Sequence, residues 1–279
     1  MVSESFFNVL NFKQIRSFAN RLSQQIGDLI KLSVRLKGFR LYANSIDRII
    51  AILFWKWSIL EGFESKYILS KIEPGWTVID IGANIGFYTV QFSKKVGKNG
   101  KVLAVEPSFN NVYLLKKNIR ANCLKNVSII EKAVSSKTGI GKLYLSTGHS
   151  GDHRIYNTIN KRKYIPIQTI TIDNLTKNEK QVDLIKMDIQ GAEYLSISGM
   201  SRTIKKFPNV KIVSEFSPKL LTESGGKPDQ FLDYFLSEGF SLKYFNEKSK
   251  NLSRTTKKEL LENICIGNNY VSLYLERHE

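Results

Sequence analysis

From about residue 70 onward, short apolar runs alternate with amphipathic segments, the pattern of an open, largely parallel sheet flanked by helices. Runs at 76–81, 102–106, 127–131, 182–188 and 210–215 predict strands. Apolar residues spaced three and four apart predict helices at about 86–95, 109–121, 191–198 and 229–237. Two late runs, Ser241 to Phe245 and Tyr270 to Leu275, predict strands that finish the sheet. Residues 140–172 break the rhythm with Gly141, Gly148 and Gly151, then Lys161-Arg162-Lys163, then alternating Ile165, Ile167, Ile170 and Ile172. This stretch predicts an inserted loop and hairpin near the active face. The fold class is α/β.

Residues 1–65 predict a helical extension ahead of a catalytic domain over 66–279. Ile15, Phe18, Ala19, Leu22, Ile26, Leu29 and Ile30 form an apolar stripe, with Arg16, Arg21, Gln24, Asp28 and Lys31 opposite. Phe54, Trp55 and Trp57 follow. A basic amphipathic helix with nearby aromatics suits peripheral contact with an anionic membrane face. One apolar stripe is also what any docked helix needs, so a cap or lid on the domain is the expectation. The apolar window Ile46 to Leu60 contains Asp47, Arg48 and Lys56, and its longest uncharged piece is seven residues, too short to span a bilayer. No signal peptide is expected, since Met1 to Asn11 has no basic start.

The most informative segment is Val78-Ile79-Asp80-Ile81-Gly82-Ala83-Asn84-Ile85-Gly86-Phe87-Tyr88-Thr89. An apolar strand ends in a glycine turn and an amphipathic helix follows, the unit that brings backbone N–H groups to a nucleotide-like ligand. A dinucleotide fingerprint beginning at Gly82 needs glycines where Asn84 and Phe87 stand, and no Gly-Lys-Ser/Thr ending of a P-loop is present. Asp80 would repel a pyrophosphate, and it suits a ligand with a sulfonium and an ammonium, S-adenosylmethionine. Glu106, ending the second strand ahead of Pro107, stands where a ribose diol is expected. Gly82 and Gly86 are expected to let the main chain approach the ligand, and Asn84 to donate to its carboxylate. Ala133 and Val134 offer an apolar bed for adenine. With Ala83, Phe87, Asp188 and Gln190, these residues make the candidate cofactor set.

Ligands of open α/β sheets lie beyond the carboxyl ends of the strands. There Leu184-Ile185-Lys186-Met187-Asp188-Ile189-Gln190-Gly191-Ala192-Glu193 is a buried strand that stops at a carboxylate and turns through glycine into a helix. Asp188 is the first candidate to orient or deprotonate an acceptor, His153 the second and Glu215 the third. His149 and His153 lie in a glycine-rich loop, which makes them poor core candidates. Glu193 is either a first-turn helix charge or a direct participant. Asp188 and Glu215 could share base duty or face a divalent metal, but no metal ligands are assigned.

The net charge of +17 asks for an anionic partner, yet its lysine pairs, such as Lys94-Lys95 and Lys205-Lys206, are dispersed as on a solvated basic surface. Cys123 and Cys265 are far apart, which argues against a zinc or iron–sulfur centre or a disulfide scaffold and fits a reducing cytoplasm.

The chain resembles the FkbM-type methyltransferases, within the class I S-adenosylmethionine-dependent family. Val78 to Thr89, Val102 to Ser108, Thr169-Ile170-Thr171-Ile172-Asp173-Asn174-Leu175 and Leu184 to Glu193 carry the resemblance, which covers roughly 70–275. It implies a Rossmann-like, seven-stranded, mostly parallel sheet with the last strand antiparallel. It also implies methyl transfer, usually to a hydroxyl oxygen, on sugars, glycolipid or polysaccharide units, or polyketides. By the same resemblance Asp80, Gly82, Asn84, Gly86 and Glu106 fall on cofactor-binding positions, and Asp188 and Glu193 on the acidic motif. Gln190 departs from a glutamate common in the family, which removes a charge a metal would use.

Two rival functions follow. An RNA methyltransferase would use the basic charge, but Asp188-Ile189-Gln190-Gly191 is not the Asn/Asp-Pro-Pro-Tyr/Phe turn of enzymes that methylate base amines, leaving ribose or ring methylation. A non-catalytic protein using the cofactor pocket for interaction is the other, and it gives no reason for Asp80, Gly82, Gly86, Glu106 and Asp188 to be present together.

Overall fold

The computed structural model describes residues 32–36, 38–43, 62–146, 150–157 and 162–277. The chain divides into two units, Met1–Glu61 and Gly62–Glu279. In the first, β1 (Leu32–Leu36) and β2 (Phe39–Ala43) pair antiparallel as a hairpin. The described part of the expected helical extension is therefore β-structure. Leu36, Phe39, Leu41 and Ala43 are buried while Arg35 and Arg40 are exposed, the period-two alternation of strands. The amphipathic helix expected over 15–30 and the aromatic segment at 54–57 lie outside the described residues. Among the described residues, no helix is long and apolar enough to cross a membrane.

The second unit is built on an eight-stranded sheet. Its strands are β3 (Thr77–Ile81), β4 (Lys101–Val105), β5 (Val127–Ile130), β9 (Leu184–Met187), β10 (Lys211–Phe216), β11 (Phe240–Asn246), β12 (Asn251–Arg254) and β13 (Val271–Arg277). Their spatial order is β12-β11-β13-β10-β9-β3-β4-β5. β5, β4, β3, β9 and β10 are parallel, and β13 runs antiparallel to β10 and β11. The seven expected strands are present, and β12 adds an antiparallel edge. Chain order reverses direction between β3 and β9, which makes their carboxyl ends the switch point where such sheets bind ligands.

The central strands are apolar because helices cover both faces. Ile79, Ile81, Leu103, Val105, Ile185, Met187 and Ile212 pack with Phe216, Phe231, Leu232 and Phe235 in the larger core cluster. Val78, Val102, Leu184 and Val213 face the other way, packing with Ile68, Phe92, Val96, Phe245 and Tyr274. Each such side chain stabilises the fold by roughly 1.5–3 kcal/mol through burial. Asp80 and Lys186 interrupt this second, otherwise apolar face, each almost fully buried.

The helices that matter for the site are α1 (Phe63–Lys71), α2 (Phe87–Val96), α3 (Phe109–Ala121), α4 (Ile172–Thr176), α5 (Glu193–Ile197), α6 (Ser201–Lys206), α7 (Pro218–Glu223) and α8 (Pro228–Ser237). In α3, Asn111, Val112, Leu114, Leu115 and Asn118 make the buried stripe, and Asn118 Nδ2 donates to the Ile85 carbonyl at 2.7 Å. That bond ties α3 to the first glycine loop. Pro228 starts α8 and Gly239 follows its end, the proline-start and glycine-stop asymmetry. A separate three-stranded sheet is made of β6 (Ala133–Val134), β8 (Tyr164–Ile170) and β7 (Gly139–Tyr144), in that spatial order. β7 and β8 are the expected hairpin.

Candidate active site

The first half of the site is the turn between β3 and α2. Gly82 and Gly86 both take left-handed backbone (φ +82° and +92°). A Cβ on Gly82 would lie 2.1 Å from the Asp188 carbonyl oxygen, and one on Gly86 would lie 2.5 Å from the Leu115 side chain. The bodies these glycines make room for are therefore the neighbouring loop and α3, where the sequence pointed to a ligand. Ala83 belongs to the core beside Ala104 and Leu115. Phe87 is half-buried and packs edge-on against Tyr88 at 5.3 Å.

Glu106 is buried and already accepts three hydrogen bonds. Asn84 N–H reaches Oε2 at 2.9 Å, while Ser108 N–H and Asn111 Nδ2 each reach Oε1 at 3.0 Å. Glu106 thus joins the first loop to the start of α3, in addition to standing where the sequence placed a ribose diol. Pro107 is half-buried beside it, whereas Ala133 and Val134 are buried in β6, Val134 within the larger core cluster.

Asp80 Oδ2 accepts from Thr89 Oγ1 at 2.6 Å. Its Oδ1 is buried with no hydrogen-bond partner among the described residues, and so is Asn84 Oδ1. Burial pushes the Asp80 pKa up, and Lys186 and Thr89 oppose that shift. A buried acceptor without a donor costs on the order of 1–3 kcal/mol, so two of them in one turn fit a ligand that brings donors or positive charge. S-adenosylmethionine has both, and these residues fit it. Asn84 presents an acceptor atom there, suited to the ammonium of the ligand where the sequence suggested its carboxylate.

The second half is the end of β9. The Asp188 side chain is 46% exposed, and its Oδ2 lies 3.4 Å from the buried Lys186 ammonium. Gln190 Nε2 donates to Asp188 Oδ1 at 3.1 Å and to Glu215 Oε2 at 3.3 Å. The amide where the family often has glutamate therefore bridges two carboxylates that a third would repel. Burial, with Asp188 and Glu193 nearby, raises Glu215 to about 9. Glu193 is buried and accepts from Ile189 N–H and Gly191 N–H, both at 2.8 Å. Burial raises it to about 7 against those bonds. Glu193 thus braces the loop that carries Gln190 at φ +55°.

The insertion reaches the same loop. Tyr156 donates to the Gln190 carbonyl at 2.6 Å. Arg154 donates to Asp152 (2.9 Å), Glu223 (2.7 Å) and the Tyr156 hydroxyl (3.2 Å). Arg162 also pairs with Asp152. His153 Nδ1 accepts from Ser146 N–H at 3.0 Å, which leaves the proton of a neutral ring on Nε2 and gives the residue a bracing contact within the insertion. His149 and His278 lie outside the described residues. The sequence reading singled out neither Lys186, Thr89, Tyr156 nor Glu64. The one linear signal was Lys186, a charge inside the apolar run Leu184 to Met187.

A doubly wound sheet with a glycine turn at its switch point and acidic groups on both sides defines a Rossmann-like methyltransferase architecture. Residues 80–242 match the Methyltransferase FkbM domain, more than half of the chain, and the chain belongs to that family. A 62-residue stretch is 42% identical to the "Probable cobalt-precorrin-6B C(15)-methyltransferase (decarboxylating)" of Sulfurisphaera tokodaii, covering 22% of this chain and 32% of that protein. The chain thus spans about a third of that curated relative. Among solved structures, it is similar to a precorrin-6y C5,15-methyltransferase from Geobacter metallireducens GS-15 (12% identity, TM-score 0.42, 76% and 85% of the two chains). It is also similar to a SAM-dependent methyltransferase from Aquifex aeolicus (17%, 0.42, 78% and 92%) and an rRNA methylase from Streptococcus thermophilus (10%, 0.45, 77% and 95%). S-adenosylmethionine is the expected cofactor.

Proposed function

We propose that the chain is an S-adenosylmethionine-dependent methyltransferase acting on a hydroxyl oxygen of a sugar, a glycolipid or polysaccharide unit, or another small metabolite. The observation that carries the reading is the pairing, at one switch point, of buried Asp80 with its unsatisfied Oδ1 and exposed Asp188. When bound, the cofactor supplies a methyl group already activated by its sulfonium. Asp80, Gly82, Ala83, Asn84, Gly86, Phe87, Glu106, Pro107 and Ala133, with Asp188 and Gln190 at the edge, are the residues assigned to hold it.

The protein's remaining tasks are to position the acceptor oxygen and to remove or share its proton. Positioning contributes up to roughly 7–11 kcal/mol in favourable cases. Asp188 is the exposed carboxylate and the first candidate to accept the proton. Glu215, protonated up to about pH 9 by its burial, suits donating a hydrogen bond to the acceptor better than taking its proton. His153 stays second as a base, and it would have to act through Nε2 after ring reorientation or proton exchange.

The +17 charge favours a second reading, RNA ribose or ring methylation. Against it, Asp188 presents an exposed carboxylate at the acceptor edge, a charge that disfavours an approaching phosphate. A labelled-methyl assay on extracts fractionated into lipid, glycan, small-molecule and RNA pools tests the choice, and groove-type RNA binding would weaken steeply with salt.

A further inference from the structure

Lys186 is a buried cation at the centre of the switch point, between Asp80 and Asp188, that neither the cofactor nor the acceptor assignment uses. β9 places it in register with Asp80 of β3 on one side and Val213 of β10 on the other. Its side chain is 4% exposed. The ammonium meets Asp188 Oδ2 at 3.4 Å and lies 4.5 Å from the centre of the Tyr88 ring. The Tyr88 hydroxyl in turn donates to Glu64 Oε1 at 3.3 Å and shares a 3.0 Å hydrogen bond with Ser65. One buried ammonium thus pairs with Asp188 at the end of β9, lies in register with Asp80 of β3, and packs on the face of Tyr88, whose hydroxyl reaches Glu64 of α1.

We propose that Lys186 is a positioning residue, the shared counter-ion of Asp80, Glu64 and Asp188, which holds the Asp188 carboxylate at the acceptor edge and offsets Asp80 on the cofactor side. The proposal rests on the reading that Asp188 faces the acceptor. The exposed half of this arrangement is weak alone, since a partly solvated ion pair contributes about 0–1 kcal/mol. The buried half decides the matter. Removing the ammonium takes away a positive charge that offsets the burial of Asp80 and Glu64, and a buried carboxyl left without such an offset is costly. Lys186 opposes the upward pKa shifts of Asp80, Glu64 and Glu215, and the three carboxylates Asp188, Asp80 and Glu64 keep Lys186 itself protonated against its desolvation.

The sign of the pH effect follows. Without Lys186 these carboxyls take up protons more readily in the folded state than in the unfolded chain. The variant then loses stability as pH rises above the ordinary carboxyl range. Thermal melts of full-length wild type, Lys186→Met and Lys186→Arg from pH 5 to pH 9 test this without cofactor or acceptor. The melting-temperature deficit of Lys186→Met should widen by roughly 3 °C or more between pH 5 and pH 8. Lys186→Arg, which keeps the charge, should show little widening. In Lys186→Met/Asp188→Asn, part of the deficit at high pH should disappear. If Lys186→Met does not fold, Lys186→Gln with and without Asp188→Asn gives the same comparison. A deficit flat across pH, or an arginine variant that widens like the methionine one, overturns the proposal. Either failure leaves methyl transfer standing, while a wild-type protein without transferase activity leaves this electrostatic result untouched.

Discussion

The Tyr156 hydroxyl donates to the Gln190 carbonyl oxygen at 2.6 Å, so the insertion between β7 and β8 grips the loop that carries Asp188 and Gln190. The insertion thereby supports the loop that carries Asp188 and Gln190. Arg154 locks the support by bonding Tyr156, Asp152 and Glu223 together.

Tyr156→Phe keeps the ring and removes the donor. Leaving the Gln190 carbonyl unsatisfied costs about 1–3 kcal/mol, concentrated in the loop. Turnover should fall about tenfold, the equivalent of roughly 1.4 kcal/mol in the barrier. Affinity for S-adenosylmethionine, measured by calorimetry, should change far less. Equal losses in both would place Tyr156 on the cofactor side.

Thr89→Val removes the donor to Asp80 Oδ2, a buried bond to a carboxyl of the kind that contributes roughly 1.5–3 kcal/mol when the acceptor is charged. Both stability and cofactor affinity should drop, and Asp80→Asn should lower affinity tenfold or more. Calorimetry on the two variants checks this. Unchanged affinity in Asp80→Asn would remove Asp80 from the cofactor site.

Glu106→Ala would leave three donors unsatisfied, from Asn84, Ser108 and Asn111, so its expected instability confuses any loss of cofactor binding. Glu106→Gln retains an acceptor and the side-chain shape. It should fold with a modest drop in melting temperature and a clear loss of cofactor affinity. If the melting point drops while affinity is preserved, Glu106 only joins the two loops.

Glu215 is raised in the folded protein to about 9, from an ordinary value of 4.5. A raised carboxyl gives stability that is fully present below the unfolded value and is lost as pH climbs towards the folded one. Glu215→Gln removes that dependence. The variant should melt higher relative to wild type at pH 9 than at pH 5. A difference independent of pH would mean that Glu215 is ionised in the folded state.

Much of this fold is legible in the sequence because the strands of a doubly wound sheet are apolar on both faces and glycine turns end them. β12, reading Asn-Leu-Ser-Arg, is not legible, because an edge strand of polar residues has no apolar period to betray it. Asp80, Asp188 and Gln190 could be placed at one edge from strand ends alone. What each touches could not, because neighbours such as Asp80 and Lys186 are set by register between strands about a hundred residues apart in sequence. Glu106 illustrates the limit. Its position follows from the strand that carries it, and its three donors come from a loop and a helix brought together only by folding.

The central claim is that Asp188 serves methyl transfer to a hydroxyl oxygen, and a labelled-methyl assay on fractionated extracts with wild type and Asp188→Asn tests it most directly. Wild type should label a glycan, lipid or small-molecule fraction through an ether-linked methyl group. Asp188→Asn should bind S-adenosylmethionine normally and label the same fraction more slowly, by about 10²–10⁴-fold if Asp188 is the base. Label confined to RNA, or full turnover in Asp188→Asn, would contradict the account.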